Sequence, residues 1–362
     1  MRFKGQSPLI PLFNPLLQMK NYGMLLWEVM ASMVYEDIFE ALRVCTPNNP
    51  VLLMKDREGR GTLQRHLSFE AIQMENGELA LMPRTGLNVM FYRGQADAAK
   101  RAIPTIYRDA ACESIVVDRI KLIDFSLAVE KFPQVQYARK ERIQVDTLAL
   151  AQHYGLKTDM LDLTSDIAVA AFFATTYLDN GIFRPMQQGI GSISYFFAFP
   201  GMDRNLPFRV VGLQPFQRPG KQCAFGVKLK QGEDLMSLNC GNTLYFSQNP
   251  KYGQMFLDLF GEKLPNELFP EEAVAKIGTR IRNGKLVTEK AVKAYCRDLS
   301  VPETEVRKLL SEQEIVISKK EAFVPSSKTL GQERKKTINN PFGGEKIYQR
   351  LMFSPGGGNF DE

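Results

Sequence analysis

The sequence predicts an α+β fold, and three observations carry that prediction. Residues 190–199, IGSISYFFAF, form the strongest strand signal in the 362-residue chain. β-branched and aromatic residues dominate that run, as a half-buried pleated surface favours. Helical patterns recur at 112–131, 143–153, 165–179, 250–260 and 271–282, with apolar residues at helical spacing. Strands and helices do not alternate regularly, which argues against a doubly wound parallel sheet.

Taken in order, residues 1–20 are broken by Pro8, Pro11 and Pro15 and read as extended. Residues 22–43 predict a helix, with Leu25, Leu26, Val29, Met33, Ile38 and Leu42 at helical spacing. The Thr-Pro-Asn-Asn-Pro segment at 46–50 stops it. Residues 51–85 read as short strands and turns, with Asn76-Gly77 turning the chain between two of them. We expect 1–85 to be an appendage of helix and short strands, followed by a main domain over 86–282. In that domain 87–93, 222–230 and 242–247 are further strand candidates. Residues 283–324 predict a helical subdomain, with helices over 288–298 and 302–314. Such a helix pair is more often a packing unit than a DNA reader. Residues 325–362 read as a flexible tail with one apolar patch, Ile347 to Phe353.

Composition excludes several classes. Five cysteines, an odd number without CxxC spacing, argue against a disulfide framework or a Cys-rich zinc site. Two histidines are too few for a His-rich metal site, so no metal is expected. Scattered thiols fit a reducing compartment. No apolar run approaches the roughly 20 residues that span a bilayer, and the start has no small-residue cleavage site. These features predict a cytoplasmic protein without a membrane partner. The net charge of +6 is mild for this length and permits an anionic ligand without demanding one.

Three segments carry candidate chemistry. In Phe91-Tyr92-Arg93-Gly94-Gln95 a strand ends in arginine followed by glycine. Arginine offers fixed donors for phosphate or carboxylate, and Gly94 would let a ligand approach the backbone. An ordinary ion pair beside a turn is the competing account. The second segment runs from Ala151 through Gln152, His153, Tyr154 and Gly155 to Thr158, Asp162 and Thr164. A helix that is apolar nearly all round, IAVAAFFATTYL, follows it, so His153, Thr158, Asp162 and Thr164 are polar groups held beside a core element. Capping by Thr164 or Ser165 and amide binding by Asp162 would also explain them. The third segment carries Arg218 and Gln222 on a loop entering the strand candidate Ala-Phe-Gly-Val-Lys-Leu.

In this order the segments resemble the FRG-domain family, which is named for a Phe/Tyr-Arg-Gly motif. Tyr92-Arg93-Gly94-Gln95 matches the first motif. Ala151, Gln152, His153, Tyr154, Gly155, Thr158, Leu161, Asp162, Thr164, Ala171, Phe173 and Ala174 match the second. Arg218, Gln222 and Phe225 match the third, and Leu268-Phe269-Pro270 matches a later one. Asp159 and Leu163 stand where members often carry Arg and Trp. The motif order is similar to that of ADP-ribosyltransferase-like folds, which implies a mixed or antiparallel split sheet with flanking helices.

The resemblance implies a nucleotide site, with NAD as the cofactor. Arg93 would hold the pyrophosphate beside Gly94, Tyr154 would stack on nicotinamide, and Thr164 and His153 would bond a ribose or amide. Arg218 would add a cation, Gln222 would orient a ribose hydroxyl, and Asp162 would stabilise an oxocarbenium-like ribose. An amide is no base at neutral pH, so proton removal falls to Asp162, His153 or the acceptor. The same residues would equally serve a non-catalytic module that captures a nucleotide or a nucleic-acid end.

Overall fold

The computed structural model describes residues 34–45, 67–74, 76–84, 89–108, 111–198, 208–238 and 241–349. In chain order the first elements are β1 (Val34–Tyr35), α1 (Ile38–Cys45), β2 (Ser68–Gln73), β3 (Leu79–Pro83) and β4 (Val89–Gln95). Next come α2 (Cys112–Val129), α3 (Pro133–Lys140), α4 (Thr147–His153), β5 (Met160–Thr164), α5 (Ile167–Thr175), β6 (Thr176–Asp179), β7 (Ile182–Pro185) and β8 (Ile190–Ala198). The middle is β9 (Phe208–Val210), α6 (Gln217–Lys221), β10 (Ala224–Lys228), β11 (Gly241–Ser247), α7 (Pro250–Phe260) and α8 (Ala273–Asn283). The chain then forms β12 (Leu286–Thr288), α9 (Glu289–Leu299), α10 (Glu303–Glu312), β13 (Val316–Ser318), α11 (Ser327–Asn339) and β14 (Lys346–Gln349). The fold is mixed α+β with several sheets, as the sequence predicts.

A seven-stranded sheet organises the molecule, in the order β1-β11-β8-β4-β5-β10-β9. Only β1 runs parallel to its neighbour, β11; the other pairs are antiparallel. The β4–β8 contact has seven paired positions, from Val89–Ala198 to Gln95–Ser192. Between β4 and β5 there is one, Tyr92–Thr164. The sheet is therefore seamed along its middle.

Helix α5 closes one side of that seam. Its apolar circumference, noted in the sequence, is buried all round except at Phe173, and α1, α7 and β8 pack against it. A fully buried phenylalanine such as Phe172 contributes on the order of 2–3 kcal/mol. The N-cap is Asp166, whose carboxylate accepts from the Ala168 and Val169 amides, rather than Thr164 or Ser165. The helix was expected to reach 179 but stops at Thr175. Thr175 and Thr176 hydroxyls bond back to the Ala171 and Phe172 carbonyls, and β-branched residues favour the strand that follows. That strand, β6, pairs with β7 in a two-stranded ribbon.

The opposite face of the sheet packs Phe91, Leu161, Leu163, Phe196, Phe225 and Val227 together. Helices α2, α3, α4 and α8 form a second layer around Phe125, Phe132, Tyr154, Phe216 and Ile281. Helices α9 and α10 pack on α2 through Val292, Tyr295, Val306 and Leu310. The buried Asp124 carboxylate binds the Thr288 amide at 2.9 Å and the Thr288 hydroxyl, which caps α9.

Several expectations need correction. Of the helix predicted over 22–43, residues 22–33 lie outside the described residues, Val34–Tyr35 is an edge strand, and the helix occupies Ile38–Cys45. The breaks at 1–20 and 46–50, and residues 51–66 of the short strands and turns expected over 51–85, also lie outside them. The Asn76-Gly77 turn is present between β2 and β3, with Gly77 at φ +75°, a left-handed conformation that glycine adopts without strain. Far from hanging loose, residues 327–349 of the expected tail form α11 and β14, and β14 pairs in parallel with β2. The patch from Ile347 supplies that strand, while residues 350–362 lie outside the described ones.

Candidate functional site

A cleft of about 1250 Å³ opens at the seam between β4 and β5. Strand alternation would place Arg93 with Phe91 on one face and Asp162 with Thr164 on the other. The strands part beyond the Tyr92–Thr164 pair, so both residues line the cleft, together with Gly94, Thr164 and Gln222. Asp162 thus sits inside a central strand, where the sequence suggested a loop before a helix.

Arg93 spans the seam. Its Nη1 donates to the Asp162 carbonyl at 2.7 Å, a backbone oxygen left without a β4 partner. Its Nε is sealed from solvent and has no hydrogen-bond partner. Among the described residues no carboxylate hydrogen-bonds to this guanidinium. Burial pulls its pKa down to about 10, with the Asp162 charge opposing and the Arg108 charge adding to the drop. Arg93 is still a cation at neutral pH, but an under-compensated one. A buried charge without a paired counter-charge is costly, and an anionic ligand would relieve that cost.

The rim adds Lys100, Arg101 and Arg108, all on the chain between β4 and α2. Lys100 and Arg101 are largely exposed and lie 3.8 Å from Asp97 and 3.5 Å from Asp234, respectively. Such exposed pairs are worth little, so the cations can turn to a ligand. The opposite wall is apolar and aromatic, made by Phe173, Tyr177, Met186 and Ile190.

Asp162 projects from β5 with its side chain 37% exposed. Gln152 Nε2 donates to its Oδ2 at 3.3 Å. His153 Nε2 lies 3.7 Å from Oδ1, too far for a hydrogen bond. The imidazole side chain is 2% exposed and does not line the cleft. Burial pushes its pKa below 6.5, against the pull of Asp162 and with the push of Arg218. His153 is therefore a neutral ring behind the carboxylate and is screened from a ligand by it.

Four sequence assignments change here. Tyr154 cannot stack on a ligand. It is buried, its ring carries the Arg218 guanidinium at 4.5 Å, and its hydroxyl donates to Glu272. Arg218 is enclosed between Tyr154 and Phe269, and its Nη1 donates to the His153 carbonyl at 2.6 Å. Neither residue lines the cleft. Thr164 lines it, but its hydroxyl is spent on the Gln222 carbonyl at 2.7 Å and the Asp166 amide at 3.0 Å. Gly94 lines it too, yet the ligand is not what requires glycine. A Cβ at this position would sit 1.8 Å from the Ala170 carbonyl oxygen, so glycine is what lets α5 lie directly on β4.

Gln222 stays at the cleft, with Nε2 tied to the Leu268 carbonyl at 3.0 Å. Residues the sequence reasoning missed are Gln152, the rim cations and the Phe173–Tyr177 wall. Gln152 had a signal, since it adjoins His153 in the longest motif. The rim cations had none, because a charged loop is usually only solvated.

Residues 88–180 match the model of the FRG domain. The chain thus carries an FRG domain over this stretch, about a quarter of its length. The matched stretch of the FRG domain runs from β4 through β6 and holds Arg93, Gln152, His153, Asp162 and Thr164; Arg218 and Gln222 lie beyond it. No curated protein and no solved structure gives a significant match to the chain. Among the described residues no group of His, Cys, Asp and Glu side chains is arranged to hold a metal, and no helix is long and apolar enough to cross a membrane.

Proposed function

We propose that the seam cleft binds a nucleotide, with NAD as substrate, and that it supports ADP-ribosyl transfer or NAD glycohydrolysis. The observation that carries this reading is Arg93, a partly buried guanidinium with a sealed Nε and no hydrogen-bonded carboxylate among the described residues, on the wall of a cleft that also presents the Asp162 carboxylate. A phosphate fits the cation and the rim behind it. A planar ring fits the Phe173 and Tyr177 wall. Motif order like that of ADP-ribosyltransferase-like folds supports the same chemistry by analogy.

In this reading the N-glycosidic bond to nicotinamide breaks and a bond from the ribose carbon to an acceptor oxygen forms. Asp162 lies opposite the positive charge that builds on the ribose, in a site where fixed charge acts strongly. It also takes the proton that the acceptor, water in the hydrolytic case, gives up. Neutral His153 backs the carboxylate, and Gln222 shapes the wall.

The test is nicotinamide release from NAD by the full chain and by Asp162→Asn. The parent is expected to release nicotinamide. Asp162→Asn should bind NAD as the parent does and release nicotinamide about 100-fold more slowly. A parent that binds nucleotide or single-stranded nucleic acid but releases no nicotinamide would instead be a non-catalytic binding module.

A further inference from the structure

We infer that Gln152, set by Thr158 behind it, is a positioning residue that aims the Asp162 carboxylate into the cleft. The inference rests on the role proposed above for Asp162. Gln152 Nε2 donates to Asp162 Oδ2 at 3.3 Å, and Gln152 Oε1 accepts from the Thr158 hydroxyl. That hydroxyl in turn accepts from the Met160 amide at 3.2 Å, at the first residue of β5. Asp162 Oδ1 is sealed from solvent, so Oδ2, the oxygen Gln152 holds, is the one a ligand can reach.

Amide chemistry fixes the sense of this chain of contacts. One end of a glutamine amide only donates and the other only accepts. Reversed, Oε1 would face Oδ2, acceptor against acceptor. The acceptor-only carboxylate therefore sets the amide orientation, and the Thr158 hydroxyl, donating to Oε1, holds the amide in place against the carboxylate. Thr158 is fully buried and does not line the cleft.

Thr158 also anchors the rim. Its amide donates to Thr105 Oγ1 at 3.2 Å, and its carbonyl accepts from the Ile106 amide at 3.2 Å. One residue thus ties the segment bearing Arg108 to the strand bearing Asp162. A threonine kept only for packing would have no need to meet an amide on one side and a rim on the other.

Thr158→Val and Thr158→Ser separate positioning from packing. Valine keeps the shape and loses the hydroxyl; serine keeps the hydroxyl and loses a methyl. Positioning predicts that Thr158→Val slows nicotinamide release about tenfold in kcat, with KM for NAD within roughly threefold, while Thr158→Ser stays near the parent. Packing predicts the reverse order, and valine equal to or better than serine would overturn the inference. If Thr158→Val does not fold, Gln152→Met removes both polar ends at similar length and should show the same kcat loss. A readout without turnover is the side-chain amide NMR signal of Gln152 in the full chain. It should shift in Asp162→Asn and again in Thr158→Val. An unmoved signal in both overturns the clamp. If the signal moves while the parent releases no nicotinamide, the clamp stands and the NAD reading falls.

Discussion

Arg93 and Arg218 look equally suited to an anion in the sequence, yet their surroundings divide them. Arg218 is enclosed by aromatic rings at 4.5 and 5.2 Å, donates to the His153 carbonyl at 2.6 Å and lies near enough to Glu272 to favour its ionised form. Its Nε, like that of Arg93, is sealed without a hydrogen-bond partner, but its charge faces two rings and a carboxylate inside the fold rather than a cleft. Arg93 has one backbone carbonyl, a sealed Nε without a partner and a second arginine, Arg108, close enough to depress its pKa. The difference is in what surrounds each charge: Arg218 is covered by Tyr154 and Phe269 and does not line the cleft, whereas Arg93 does, which makes Arg93 the better candidate for an anion.

The largest effect expected concerns the seam that frees Arg93. Gly94→Ala puts a methyl 1.8 Å from the Ala170 carbonyl. Backbone cannot yield as a side-chain tip can, so α5 must lift from β4. Overpacking costs 1–3 kcal/mol or occasionally more, and we expect about 3 kcal/mol here, measured by denaturant unfolding. A variant as stable as the parent would show that the helix does not need this approach.

Next in size is the contrast between the two arginines. Arg218→Met removes the donor to the His153 carbonyl and the charge beside Glu272, and should cost about 2–3 kcal/mol of stability. Arg93→Lys keeps the charge and loses the two-pronged donor geometry. It should melt within a few degrees of the parent and bind NAD or ADP-ribose at least about tenfold more weakly. If the two variants exchange behaviour, the comparison is inverted and the ligand belongs near Arg218.

Much of this fold is legible in the sequence, and the gaps have physical causes. Helix α7 begins at Asn249-Pro250, where the Asn249 side chain caps and proline fills the first turn, and both signals are local. Strand β8 announces itself by composition. Strand β5 is missed because five residues, Met-Leu-Asp-Leu-Thr, are short, carry a carboxylate and run straight into a helix. Only its neighbours β4 and β10 make it a strand. Strand β1 and helix α3 are missed for similar reasons of length. At the site, the motif residues were visible but their directions were not. Tyr154 and Arg218 read as ligand contacts because sequence does not show that each is the other's partner.

The smallest effect tests whether the ring that touches both regions is dry. His153 lies against Asp162 on one side and gives its carbonyl to Arg218 on the other. Its folded pKa lies below 6.5, mainly through burial. As pH falls through about 6.5, the unfolded chain takes up a proton that the folded chain refuses. Stability from this residue is therefore full above that pH and is lost on acidification, with a slope of at most about 1.4 kcal/mol per pH unit. Glu272 and Asp124 have the opposite sign, since burial raises both carboxyls. Their contribution is full at low pH and is lost as pH rises above the ordinary carboxylate range. Comparison with His153→Gln isolates the imidazole. Between pH 7.5 and about 5.5, the parent should lose stability relative to the glutamine variant, read from urea midpoints at each pH. Parallel curves would mean that the ring protonates in place. It would then be a second cation competing with Arg93 for the Asp162 charge.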